Sequence, residues 1–147
     1  MLRRITLYSL LLCAWLLAVS TASALSPESA KAIAVGENDD RIKALSAALV
    51  TPDDNLSNLV DALLGDTAKI AGEQILIVND AATGKAVNAA TGAETPLPAT
   101  VEDVVNNNRM RQALEAAKAA FGLFSDSLRV RNNAITELRE SDRKSVV

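Results

Sequence analysis

The N-terminal segment constrains this chain most, because it decides which residues remain to fold. Two arginines precede an apolar run over residues 5–19, and a small-residue Ala-Ser-Ala motif ends at Ala24. This order predicts a secretory signal peptide over residues 1–24, cleaved after Ala24. An uncleaved membrane anchor is the alternative, but the apolar run is shorter than the ~20 residues that span a bilayer.

The only cysteine of the chain, Cys13, lies inside that apolar run. A lipoprotein would need a small residue before the cysteine, whereas Leu12 stands there, so we interpret Cys13 as part of the apolar run. Removal of 24 of the 147 residues would leave 123 residues without cysteine. The domain then has no disulfide and must depend on its apolar core.

Charge and residue types narrow the possible functions of the mature chain. Loss of Arg3 and Arg4 reduces the 15 Lys and Arg to 13, against 18 Asp and Glu, a net charge of −5. An acidic chain without a basic stripe is not typical of a protein that binds nucleic acid or anionic membranes. The chain contains no histidine, and the mature part would contain no cysteine, so the usual catalytic triads and zinc sites are excluded. We predict that the protein is not an enzyme and binds neither a cofactor nor a metal.

Start and stop signals predict several short helices. Serine, threonine or aspartate before a proline or an apolar face marks a helix start, and glycine marks an end. The paired carboxylates at 39–40 and 53–54 are interpreted as helix caps rather than as catalytic acids. Five helices are predicted. The first covers residues 27–35, and the second is capped by Asp39 or Asp40 and has Ile42, Leu45 and Leu49 on its apolar face. The third runs from Thr51-Pro52 to Gly65, the fourth from about Asn108 to Gly122, and the fifth is capped by Ser125 or Asp126.

The middle of the chain has a different pattern. "QILIV" (74–78) is rich in β-branched residues, and the turn-rich "NDAATG" (79–84) follows it. We predict a small β-hairpin here, and a helix capping box formed by Thr100 and Asp103. The predicted fold is mainly α, with short antiparallel helical pairs that form an incomplete HEAT-like array and a β-hairpin insertion around residues 74–97. One domain over residues 25–141 would hold all of these elements.

Three stretches carry a resemblance to a known family: "LVDALLGD" (59–66), "ATGAETPL" (90–97) and "VEDVVNNNRMRQALEAAKAAFGLFSDSLRVRNNAI" (101–135). Together with the signal peptide, they resemble the N-terminal extracytoplasmic region of urea-type permeases in the branched-chain amino-acid ABC permease family. The resemblance implies a HEAT-like domain at the periplasmic face of the bacterial inner membrane. It also implies a part in the transport of urea or a related small solute.

The resemblance stops before any membrane domain, so it implies a scaffold or docking surface and no transport by this region itself. The implied partners are the other ABC importer subunits and the solute-binding protein, and membrane contact would occur only through the missing permease domain. A free-standing periplasmic helical adaptor is the alternative. The last six residues, "DRKSVV" (142–147), match the translation of a common sequencing adapter, so we predict a non-native tail and a truncated chain.

The stretch "NNNRMR" (106–111) is the most specific part of the sequence. Asparagine side chains cap helices well, which gives this stretch a structural interpretation. The alternative is a partner interface, in which the arginines contact another importer subunit. The candidate interface residues are Asn106, Asn107, Asn108, Arg109 and Arg111.

Overall fold

Three helices, a run of five strands and two further helices follow one another in the part of the chain that the computed structural model describes, residues 25–123 and 128–145. The helices are α1 (Pro27–Ala34), α2 (Asn38–Ala48), α3 (Asp54–Leu64), α4 (Asn108–Leu123) and α5 (Leu128–Ser145). The strands are β1 (Ala68–Ala71), β2 (Gln74–Ile77), β3 (Lys85–Asn88), β4 (Glu94–Pro96) and β5 (Glu102–Asp103), with a 3-10 turn at Ala81–Thr83.

The five strands form a single antiparallel sheet in the order β4-β3-β2-β1-β5. A tight turn joins β1 to β2, and its Gly72 adopts the left-handed conformation, with φ 62°. The last strand, β5, returns to pair with β1 on the side away from β2. The fold is therefore mixed α and β, and the predicted mainly α fold, an incomplete HEAT-like array with a hairpin around residues 74–97, is wrong.

Strand β2 shows why the sheet is a layer of the domain rather than a surface hairpin. Ile75 and Ile77 belong to the main core, while Leu76 and Val78 belong to a second apolar cluster with Ala86. Because successive side chains of a strand point to opposite faces, both faces of β2 are covered. The continuous apolar run from Ile75 to Val78 within "QILIV" is the sequence signal of that double burial.

Strands β1 and β5 lack a comparable local signal. Ala68–Ala71 reads "AKIA", and alanine and lysine are not favoured in strands. In β5, Asp103 pairs with Lys69 of β1 and its carboxylate contacts the lysine ammonium. The predicted capping box of Thr100 and Asp103 is therefore wrong, because Asp103 lies in a strand and not in a first helical turn.

The start of α1 confirms the sequence prediction. Ser26 is the N-cap, and its hydroxyl accepts a hydrogen bond from Ser29 N at 3.1 Å. Pro27 occupies the first helical position, where its missing N–H costs nothing. The helix ends at Ala34, one residue before the predicted end.

The interpretation of the paired carboxylates as helix caps holds for one of the next two helices and not for the other. Helix α2 follows Glu37, so Asp39 and Asp40 lie within its first turn instead of capping it. There they still interact favourably with the positive end of the helix dipole. Helix α3 has Asp53 as its N-cap, which confirms the interpretation of the carboxylate pair 53–54, although the helix begins after the predicted start at Thr51-Pro52. The predicted caps of the last helix, Ser125 and Asp126, lie outside the described residues, as does the predicted signal peptide with Cys13.

The core lies where the helices meet one face of the sheet. Helices α1 and α3 contact the sheet, α4 packs on α2 and α3, and α5 packs on α4. As predicted, α4 buries Met110, Leu114 and Ala117, and Phe121 is half-buried against the same core. Helix α5 continues through Asp142 to Ser145 and so includes most of the predicted tail. The largest fully buried side chains are Ile33, Leu45, Leu56, Leu59, Val60, Leu63, Leu76, Met110 and Leu114.

We expect Leu63→Ala to lower the free energy of unfolding by about 2–5 kcal/mol, because the side chain is fully buried and its loss leaves a cavity. Val50→Ala is the matched control: Val50 is 79% exposed, so the expected change is within about 0.5 kcal/mol. Guanidinium chloride unfolding followed by circular dichroism measures both. Equal effects of the two substitutions would contradict the described core.

Candidate interaction site around the asparagine-arginine segment

The segment 106–111 forms the entry to α4. Asn107 is placed as the N-cap residue, since its side-chain oxygen accepts from Met110 N at 2.9 Å. Its backbone carbonyl accepts from Arg111 N, also at 2.9 Å, and Asn108 is the first helical residue. The predicted capping by this group of asparagines is therefore confirmed, and Asn107 performs it.

Asn106 connects α4 to the end of α3. Its amide nitrogen donates to the carbonyl of Leu63 at 2.9 Å, and its side-chain oxygen accepts from Arg41 Nη2 at 2.6 Å. Carbonyls in the last turn of a helix have no partner within the helix. Asn106 thus satisfies a carbonyl at the C-terminal end of α3, and the guanidinium group of Arg41 satisfies the side-chain oxygen of Asn106.

Arg41 is the residue that the sequence interpretation missed. It is only 3% exposed, and its guanidinium donates to Ile33 O at 2.9 Å and to Val105 O at 3.0 Å, in addition to Asn106. Burial lowers the pKa of Arg41, but arginine remains a cation in proteins. A signal was present, because Arg41 lies four residues before Leu45 and so falls on the apolar face of α2.

Arg111 provides a second cation at the end of α3. Its Nη1 donates to the carbonyl of Leu64 at 3.3 Å, and its Nη2 lies 2.7 and 2.8 Å from the two carboxylate oxygens of Asp66. Asp66 adopts a left-handed conformation, φ 57°, directly after the helix. A cation at a helix C-terminus interacts favourably with the helix dipole. Arg111 therefore stabilises the end of α3 and the turn that leads to the sheet.

Arg109 and Asn108 face outward instead. The Arg109 side chain is 67% exposed and its Nη1 lies 2.6 Å from Asp39 Oδ1, itself an exposed carboxylate. An exposed ion pair of this kind contributes about 0–1 kcal/mol to stability. Asn108, Arg109 and Arg111 line a groove of about 840 Å³ between α2, α4 and α5. The other residues that line this groove, called the α4 groove below, include Ile42, Gln112, Ala113, Glu137, Leu138 and Glu140.

The five candidate residues therefore divide into two groups. Asn106 and Asn107 are used within the fold, whereas Asn108 and Arg109 are exposed at the α4 groove; Arg111 takes part in both. Amide, guanidinium and carboxylate groups on such a surface recognise polar and charged partners. Among the described residues, no cluster of three or more acidic or other ligating side chains could hold a metal ion.

Comparisons with known proteins add no relative: no family model matches, and neither curated proteins nor solved structures give a significant match. Within residues 25–123 and 128–145, no helix combines the length and the apolar content of a membrane span. The fold and the site define a mixed α and β domain whose helical side carries a charged groove.

We expect Arg41→Met to lower the free energy of unfolding by about 2–4 kcal/mol, because it leaves the buried carbonyl of Ile33 and the partly buried acceptors at Val105 and Asn106 without their donor. Arg109→Met is the matched control, since it removes the same group from an exposed ion pair and should cost at most about 1 kcal/mol. Chemical unfolding of the two variants gives the comparison. A loss for Arg41→Met no larger than that for Arg109→Met would contradict the assigned role of Arg41.

Proposed function

We propose that this chain is the exported N-terminal region of a urea-type ABC importer permease subunit, where it serves as a scaffold or docking surface. The support is the resemblance of residues 59–66, 90–97 and 101–135 to that family. On this proposal the solute path belongs to a membrane domain, and the region described here transports nothing by itself. A free-standing periplasmic adaptor that binds a protein partner is the second candidate.

One observation carries the docking role: Arg109 is exposed, yet the chain on both sides of it is fixed. Asn107 caps the helix immediately before it, and Met110 immediately after it is fully buried. Arg111 is tied to the end of α3. Because the backbone at Arg109 is already ordered, a partner contact there costs only the ordering of the side chain, and Arg109 is suited to such a contact.

The α4 groove supplies the rest of such a surface. It combines cations, carboxylates and amides with the apolar side chains of Ile42, Ala113 and Leu138. Interfaces that recognise a specific partner join apolar contact with polar groups of complementary charge. The implied partners are other importer subunits, and the solute-binding protein is the one that can be tested in solution.

We expect Arg109→Glu to weaken binding of the importer's solute-binding protein by about tenfold, equivalent to about 1.4 kcal/mol. Lys85→Glu is the matched control, because Lys85 is also an exposed cation with one carboxylate partner but lies on the sheet. Titration calorimetry with the exported protein measures both affinities. Equal affinity of the wild type and Arg109→Glu would remove Arg109 from the interface, and an equal loss in both variants would indicate a general charge effect.

The two candidate functions differ in what the gene encodes after codon 141. A permease requires several apolar runs of about 20 residues further on, whereas an adaptor requires none. Long-read sequencing across the locus distinguishes them. We expect the reading frame to continue into membrane-spanning segments, and a stop codon directly after codon 147 would overturn the permease proposal.

A further inference from the structure

Leu25 is the first described residue, and it directly follows the predicted cleavage site. The Leu25 side chain is 7% exposed and belongs to the main core. Its backbone nitrogen lies 2.7 Å from Asp53 Oδ2, although the two residues are 28 positions apart in sequence. The next residue, Ser26, caps α1. Leu25 is thus anchored by its side chain, by its nitrogen and by the helix that begins beside it.

Asp53 uses its two carboxylate oxygens for different purposes. Oδ1 accepts from Leu56 N at 2.7 Å and so caps α3, whereas Oδ2 accepts from Leu25 N. Capping needs only one oxygen, and a serine or threonine could supply it. A carboxylate differs from a serine or threonine cap in having a second acceptor oxygen, and in Asp53 that oxygen faces the point where the mature chain would begin.

We propose that Asp53 is a binding site for the α-ammonium group of Leu25, which forms when the leader is removed between Ala24 and Leu25. Hydrolysis of that peptide bond by water leaves a carboxylate on Ala24 and a protonated amine on Leu25. A neutral amide donor is thereby replaced by a cation with three N–H groups, and its bond to Asp53 becomes charge-assisted. The proposal rests on the predicted leader and is independent of the proposed permease function.

The ionisable side chains around Leu25 favour a cation, and they act against the positive ends of the α1 and α3 dipoles at the same place. A groove of about 490 Å³ opens there between α1, α2 and α3, and its ionisable lining residues are Glu28 and Asp53. The pKa of Glu28 is lowered by its own backbone N–H and by the Ser26 hydroxyl, so this carboxyl group is ionised at neutral pH. Carboxylate groups near Leu25 N favour an ammonium group over an uncharged nitrogen.

The test is the pKa of the α-amine in the exported, processed protein, measured from the pH dependence of its acylation with mass spectrometric detection. We expect a value of about 9, compared with about 8 for an ordinary α-amine. Asp53→Asn should return the pKa to about 8 while keeping the helix cap, because asparagine caps as well as aspartate. Asp54→Asn, which neutralises the next carboxylate, is the matched control and should leave the pKa raised.

A stability measurement gives a second readout. Because the folded-state pKa of the amine is raised, its contribution to stability is complete below the unfolded pKa of about 8 and is lost as pH rises through about 9. The denaturation midpoint of wild type should therefore exceed that of Asp53→Asn at pH 7 by more than it does at about pH 10. Selective acylation of the α-amine should lower the midpoint of wild type and leave that of Asp53→Asn unchanged.

Three outcomes would overturn the proposal. The first is a mature N-terminus other than Leu25, and the second is an α-amine that titrates near 8 in the wild type. The third is a raised pKa that persists in Asp53→Asn, since the cause would then lie elsewhere. None of these results bears on the binding of an importer subunit at Arg109, so the two proposals fail or survive separately.

Discussion

The buried guanidinium of Arg41 is the interaction on which the helical side of the domain depends. Placing a cation in the core costs free energy, and only good hydrogen bonds offset that cost. Arg41 obtains them from Ile33 O at the end of α1, from Val105 O, and from Asn106, which in turn holds the end of α3. The place where α4 begins is fixed by this network. The positions of the α4 groove and of Arg109 follow from it.

Local chemistry made part of the fold predictable. Ser26-Pro27 and Gly65 mark a helix start and a helix end that require no knowledge of the rest of the molecule, and both lie where expected. Strand β1 was missed because its alanine and lysine residues become a strand only through pairing with β2 and β5. The run "QILIV" did indicate that the sheet is more than a small hairpin, since a strand that is apolar on both faces needs other parts of the chain to cover each face. A small surface hairpin cannot provide that.

The candidate site was predictable to a similar extent. Asn107 caps α4 by accepting a hydrogen bond from the backbone N–H three positions ahead, and an interaction within one turn can be predicted from the sequence. The bonds of Asn106 reach 43 positions back to Leu63 and 65 positions back to Arg41, and no local pattern specifies such partners. What the sequence did offer was an arginine on the apolar face of α2. Such a residue needs acceptors from other elements when that face is buried.

Hydrogen bonds link α1 to α3 at both ends of the two helices. Their N-terminal ends meet where Asp53 binds Leu25 N, and their C-terminal ends are joined through Arg41 and Asn106. The two helices therefore run in a similar direction, and their dipoles repel. A carboxylate at the shared N-terminal end and cations at the shared C-terminal end offset that repulsion. Asp53 and the Arg41–Asn106 network therefore act on opposite ends of one helix pair.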